Sequence, residues 1–203
     1  MLAEALQYLA NSLRHGALCL ILPLIWWLAQ EGCEESFVKW LGLKRVLVSD
    51  PAPYILCCLG LFALMFGAFH ALPTFVGAPT AASQFGGAGK GLAAIPDALS
   101  YGFIRAGISQ EILFRGFLGK RLGEKFSFAT GNIIQAAAFG LFHAAGLFRV
   151  NFWAAAAQTV LVASIGWLMG FMDEKLSEGS ITSSWLINSV YSTVAALRTA
   201  LVP

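Results

Sequence analysis

The sequence predicts an all-α protein, a polytopic bundle of about six membrane-spanning helices, on three observations. Of 203 residues only 12% are charged while 58% are hydrophobic, whereas soluble domains carry about 25% charged residues. A globule of this size with half that charge has too little polar surface to coat its core. The apolar residues arrive in blocks of about 20, the length that crosses a hydrocarbon core of roughly 30 Å. Glycine is plentiful, 21 residues, as it is where membrane helices approach closely. The net charge of +2 and the lack of any basic run speak against nucleic acid as a partner. The four cysteines, Cys19, Cys33, Cys57 and Cys58, show no C-x-x-C spacing. They read as small packing residues rather than metal ligands or redox partners.

Six spans follow in order within a single membrane domain, residues 1–203. The first covers Leu6–Ala29. Its apolar core, Ala17–Ala29, has the length of a signal-peptide h-region. Glu4, the single firm positive charge Arg14, and the lack of a small-x-small site after it favour a retained span. A charged loop, Glu31–Asp50, leads through Pro51 and Pro53 into the second span, Tyr54–Leu72. Proline suits a helix start, where its missing N–H costs little. The Gly-rich stretch GAPTAASQFGGAGKG, Gly77–Gly91, reads as a flexible loop or a re-entrant segment. It divides an N-terminal half without unusual residues from a motif-bearing half, 97–203. The remaining spans are Asp97–Leu118, Ala129–Leu147, Phe152–Met172 and Ile181–Val202.

Lys and Arg bias sets the expected orientation. Lys39, Lys44, Arg45, Lys120, Arg121, Lys125 and Lys175 fall on one side, and Arg14, Lys90 and Arg149 on the other. Six spans then put both termini outside and the Lys120–Lys125 loop in the cytoplasm.

The polar residues inside the spans carry the functional signal. ISQEILFRGFL in the third span holds Gln110, Glu111 and Arg115. A charge at a helix centre costs about 2.5–3.5 kcal/mol on insertion scales, so it is rarely there without a partner or a purpose. Glu111 and Arg115 are four apart, on one helix face, and are expected to pair. FGLFH in the fourth span puts His143 four residues after Phe139; the other histidines, His15 and His70, lie at a helix start and in the second span. In the sixth span Ser184, Asn188 and Ser192 recur every four residues, a polar stripe down one face. Each feature alone also suits a purely structural role: an ion pair that pins the bundle, a helix–helix hydrogen bond, a polar seam. Together, a carboxylate, an arginine, a histidine and an asparagine from three spans all need polar company, and one hydrated internal cavity supplies it at least cost. There a carboxylate with a histidine activates water, and an asparagine can hydrogen-bond a developing oxyanion. No H-E-x-x-H zinc motif, G-x-S-G serine motif or pair of membrane aspartates occurs, so no metal or other cofactor is expected.

These residues resemble the CPBP family of intramembrane glutamic endopeptidases, which includes CAAX prenyl endopeptidases, bacteriocin-processing proteins and abortive-infection proteins. The family pattern is E-E-x-x-x-R, then F-x-x-x-H on the next helix, then a late H-x-x-x-N. QEILFR (Gln110–Arg115) is similar to the first and FGLFH (Phe139–His143) to the second; the resemblance spans Gln110 to Ser192. It implies metal-free hydrolysis of a membrane-anchored or lipidated protein, in the bilayer, by a multi-pass protein of the bacterial inner membrane. On this transfer Gln110, Glu111, His143 and Asn188 are the catalytic positions, Arg115 the ion-pairing residue, and Phe139, Ser184 and Ser192 candidates to line the cavity.

Two departures stand out. Gln110 occupies the position of the first glutamate, and an amide cannot act as a base near neutral pH. In the late motif Asn188 falls on the usual histidine and Ser192 on the usual asparagine, or, in the other register, Ser184 and Asn188; either way the second histidine is missing. Three readings of Gln110 stay open: an engineered isosteric change, a natural pseudo-protease, or Glu111 as base, although it lies about 100° round the helix. The expectation is a protease scaffold with weakened or no activity in this chain. A non-catalytic scaffold or immunity protein that binds a peptide or partner helix in the same cavity is the alternative.

Overall fold

A computed structural model describes residues 2–30, 35–76 and 91–201, with the backbone alone for 68–76. The described residues form six long helices and one short one. Helix α1 is Leu2–Gln30, the one-turn α2 is Phe37–Trp40, and α3 is Pro51–Val76. Helix α4 runs without a break over residues 95–125, α5 is Phe128–Ala144, α6 is Phe152–Leu176 and α7 is Thr182–Leu201. The six long helices coincide with the six segments read from hydropathy, and the described residues contain no strand. Two of them, Leu2–Gln30 and Phe152–Leu176, are long and apolar enough by themselves to cross a membrane. The Gly-rich Gly77–Gly91 stretch lies, but for Gly91, outside the described residues.

Local chemistry sets the helix starts. Asp50 Oδ1 accepts from the Ala52 N–H at 3.1 Å ahead of Pro51 and Pro53. Ser127 and Asn151 cap α5 and α6 by accepting from Thr130 and Ala154 N–H at 3.2 and 3.0 Å. Each side chain thus satisfies an orphan donor of a first turn.

Helix α4 departs from α geometry twice, in π-helical stretches at Tyr101–Ile108 and Ile112–Gly119 that flank the α-helical Ser109–Glu111. Wider turns re-aim side chains and redirect backbone carbonyls. Ser109 Oγ donates to the carbonyl of Ile104 at 2.6 Å, Trp185 Nε1 to Phe103 at 3.1 Å, and Asn188 Nδ2 to Ala106 at 3.0 Å. The unusual backbone of α4 is therefore stapled to α7. Glycine makes the approach close enough: a Cβ at Gly102 would lie 2.7 Å from the Ser189 carbonyl oxygen. Helices α5 and α6 close up in the same way at Gly140 and Gly166.

The bundle is apolar outside and polar within. Leu56, Ile133, Val160 and Val194 are more than half exposed, while Glu111, Arg115, Asn132, Gln135, Asp173 and Asn188 are all buried. Water would not tolerate that much apolar surface, but lipid does, and it drives polar groups inward to partners. An apolar cluster of Leu61, Met65, Ile165, Met169, Met172 and Ile187 joins α3, α6 and α7 beside the polar centre.

Candidate functional site

The polar residues of α4, α5 and α7 reach one cavity of about 70 Å³. Its polar lining is Tyr101 and Gln110 from α4, His143 from α5, Gln158 from α6, and Asn188, Tyr191 and Ser192 from α7; Phe139, Ile165, Met169 and Met65 supply apolar wall. A water needs roughly 10–15 Å³, so the space holds several. Of the candidates named from sequence, Gln110, Phe139, His143, Asn188 and Ser192 meet here.

Glu111 and Ser184 do not line this cavity. Glu111 is fully buried behind the cavity wall. Its Oε1 accepts from Arg115 Nη1 at 3.3 Å and from Asn188 Nδ2 at 3.0 Å. The four-residue spacing thus produces the expected ion pair, and α7 contributes its second donor. The Ser184 hydroxyl donates to Asp173 Oδ2 at 2.7 Å, so the polar stripe of Ser184, Asn188 and Ser192 serves two places. Ser184 lies one helical turn before Asn188, and the end of α6 covers it.

Arg115 holds the centre together. Besides Glu111, its Nη2 approaches the Met169 sulfur at 3.1 Å, and its guanidinium carbon sits 4.0 Å from the centre of the Phe139 ring. Phe139 in turn packs edge-on against His143 at 4.4 Å between ring centres. The Phe139 carbonyl bonds His143 Nδ1 at 2.9 Å. A carbonyl only accepts, so Nδ1 carries the hydrogen and Nε2 keeps the lone pair. Gln158 Nε2 donates to the His143 carbonyl at 3.2 Å, tying the end of α5 to α6. The imidazole is thereby fixed in tautomer and position, with a basic nitrogen to offer.

Asn188 is less free than its place in the motif suggests. Both hydrogens of its amide are given away, to Ala106 O and to Glu111 Oε1, each at 3.0 Å. Both partners are acceptors, so the amide cannot turn over without losing both bonds. Its oxygen accepts only a long 3.4 Å bond from Ser192, which leaves the Ser192 hydroxyl the readier donor toward the cavity. Gln110 makes no side-chain hydrogen bond among the described residues, and its amide is therefore uncommitted. No group of three or more His, Cys, Asp or Glu able to hold a metal occurs among the described residues.

Sequence reading passed over four buried polar residues beside this centre. Asn132, Gln135 and Gln158 lie within apolar helices, and Asp173 closes the apolar run of α6. The signal for two of them was available: Asn132, Gln135, Phe139 and His143 are spaced three, four and four apart, a single face of α5. Asp173 falls one residue past the fifth span as read from hydropathy, Phe152–Met172.

Neither comparison with curated proteins nor comparison with solved structures gives a match. A family model does match, over residues 94–194, a stretch that begins just before α4 and includes Gln110, His143, Asn188 and Ser192. Across that stretch, which carries all the polar lining of the cavity, the chain belongs to the Rce1-like family, described as type II CAAX prenyl endopeptidase.

Proposed function

We propose that this protein is a multi-pass intramembrane endopeptidase of the bacterial inner membrane, acting on a membrane-anchored or lipidated protein. Its hydrolysis is slow because an amide, Gln110, stands where the water-activating carboxylate belongs. The observation that carries this reading is the shared cavity of Gln110, His143 and Ser192 within a stretch that matches a protease family. The resemblance assigns the base role to a glutamate and a histidine together. In this chain His143 Nε2 is the basic atom available. Gln110 can hold a water by donating or accepting, but it cannot take that water's proton.

Peptide hydrolysis then follows from these residues. Water gives a proton to His143 Nε2 as its oxygen attacks the scissile carbonyl carbon. The oxyanion accepts hydrogen bonds from Ser192 Oγ and the Gln110 amide. As the C–N bond breaks, the imidazolium returns its proton to the leaving amine. The products are a carboxylate and an amine, and no metal takes part.

The test is cleavage of a membrane-anchored peptide by protein reconstituted in lipid. Gln110→Glu should raise the rate by about 10²–10⁴-fold, the usual worth of a general base, and His143→Ala should abolish the gain. If Gln110→Glu is inert while Glu111→Gln abolishes parental activity, the base is Glu111. The second reading, a non-catalytic scaffold that binds a peptide or partner helix, rests on the same amide at position 110. It prevails if neither the parent nor Gln110→Glu cleaves a partner that either one binds.

A further inference from the structure

Arg115 also lines a second, smaller cavity of about 20 Å³, together with Asn132, Gln135, Gly170, Asp173 and Glu174. Four of these residues are more than nine-tenths buried, Arg115, Asn132, Gln135 and Asp173. Three of the four keep one polar atom without a hydrogen-bond partner: Arg115 Nε, Gln135 Oε1 and Asp173 Oδ1. Buried polar groups are nearly always paired, and three exceptions around one small space ask for a common explanation.

The neighbouring bonds settle which atoms these are. Asn132 Nδ2 donates to the Trp167 carbonyl at 3.0 Å, which leaves Asn132 Oδ1 to accept from Gln135 Nε2 at 2.7 Å. Gln135 Nε2 also donates to the Gly166 carbonyl at 3.0 Å. Both hydrogens of the Gln135 amide are used, so its remaining atom is an acceptor. Asp173 Oδ2 already accepts from Ser184, so Oδ1 is the open oxygen. Gly170 keeps the space tight, because a Cβ there would collide with Asn132 Oδ1. The cavity therefore offers one donor and two acceptors from three helices.

We propose that this cavity is a built site for a single water molecule, which accepts from Arg115 Nε and donates to Gln135 Oε1 and Asp173 Oδ1. A water has two hydrogens and accepts readily, so it meets all three groups at once. A cation would face the guanidinium, and an anion would face two oxygens. The volume exceeds the roughly 10–15 Å³ that one water needs and reaches only the bottom of the range for two. The water links α4, α5 and α6 around Arg115, and through Asp173 and Ser184 it reaches α7. It is a positioning element: Arg115, held on this side, presents its other edge to Glu111 and its face to Phe139, whose carbonyl orients His143.

The test is a structure of the parent chain at a resolution that shows ordered water. A single peak within about 2.6–3.2 Å of all three atoms is expected. An unoccupied cavity, a metal ion there, or a direct carboxyl–amide contact between Asp173 and Gln135 overturns the proposal. A thermal-unfolding cycle on Gln135→Met and Asp173→Leu gives a second reading. No hydrogen bond of the described residues joins these two, so a shared water predicts that the double variant's shift in Tm is smaller than the sum of the single shifts. Additive shifts count against the water. If the variants do not fold, the density in the parent decides alone.

Discussion

Replacing Arg115 with methionine should be among the most destabilising single changes in this protein. The guanidinium is the charged partner of Glu111, at 3.3 Å, with side chains 1% and 0% exposed. In its absence the carboxylate keeps one neutral donor, the Asn188 amide. Breaking a buried pair by removing one member costs about 3–5 kcal/mol, because the other charge stays behind without compensation. The lost cation–π contact with Phe139, about 2 kcal/mol when desolvated, is largely offset by methionine sulfur on the same ring. The net expectation stays near 3–5 kcal/mol, or about 10²- to 10⁴-fold in the folded-to-unfolded ratio. The double variant Arg115→Met/Glu111→Gln removes both charges and retains an oxygen for the Asn188 amide. Since a buried pair contributes little net stability over a well-packed neutral replacement, the double variant should be more stable than Arg115→Met alone. Equilibrium unfolding in mixed detergent micelles reads both. An Arg115→Met variant as stable as the parent would refute the pairing account, as would a double variant whose cost equals the sum of its parts.

Three further outcomes follow from local geometry. Gly102→Ala should lower the melting temperature, since the new Cβ would lie 2.7 Å from the Ser189 carbonyl oxygen and force α4 from α7; overpacking of this kind typically costs about 1–3 kcal/mol. Gly60→Ala, whose Cβ meets nothing within 4 Å, should gain up to about 1 kcal/mol from helix propensity, and the reverse order in thermal melts would contradict the packing described. In ¹⁵N spectra of histidine-labelled protein, neutral His143 should show a protonated Nδ1, as its 2.9 Å bond to the Phe139 carbonyl requires. A spectrum with hydrogen on Nε2 instead would remove the basic nitrogen from the proposed chemistry.

Much of this protein is legible in one dimension. Apolar blocks give six helices, because a chain with so few charges must satisfy its backbone within each segment. The four-residue step from Glu111 to Arg115 gives an ion pair, because such residues share a helix face. The motifs QEILFR and FGLFH point to a protease family, and the match over residues 94–194 agrees. Spacing along a helix fixes the angle between two side chains but not which way the helix is turned. Only packing decides that Gln110 meets the cavity while Glu111 faces Arg115 and Asn188, and the π-helical stretches on either side of Ser109–Glu111 take part in that setting. Only packing, too, commits both Asn188 hydrogens, sends Ser184 to Asp173, and gathers Arg115, Gln135 and Asp173 around one small space. Those partners lie tens of residues apart or on separate helices, and sequence periodicity carries no information across such distances. The sequence determines which residues need polar partners, because the bilayer withholds water from them; the tertiary structure decides which partners they find.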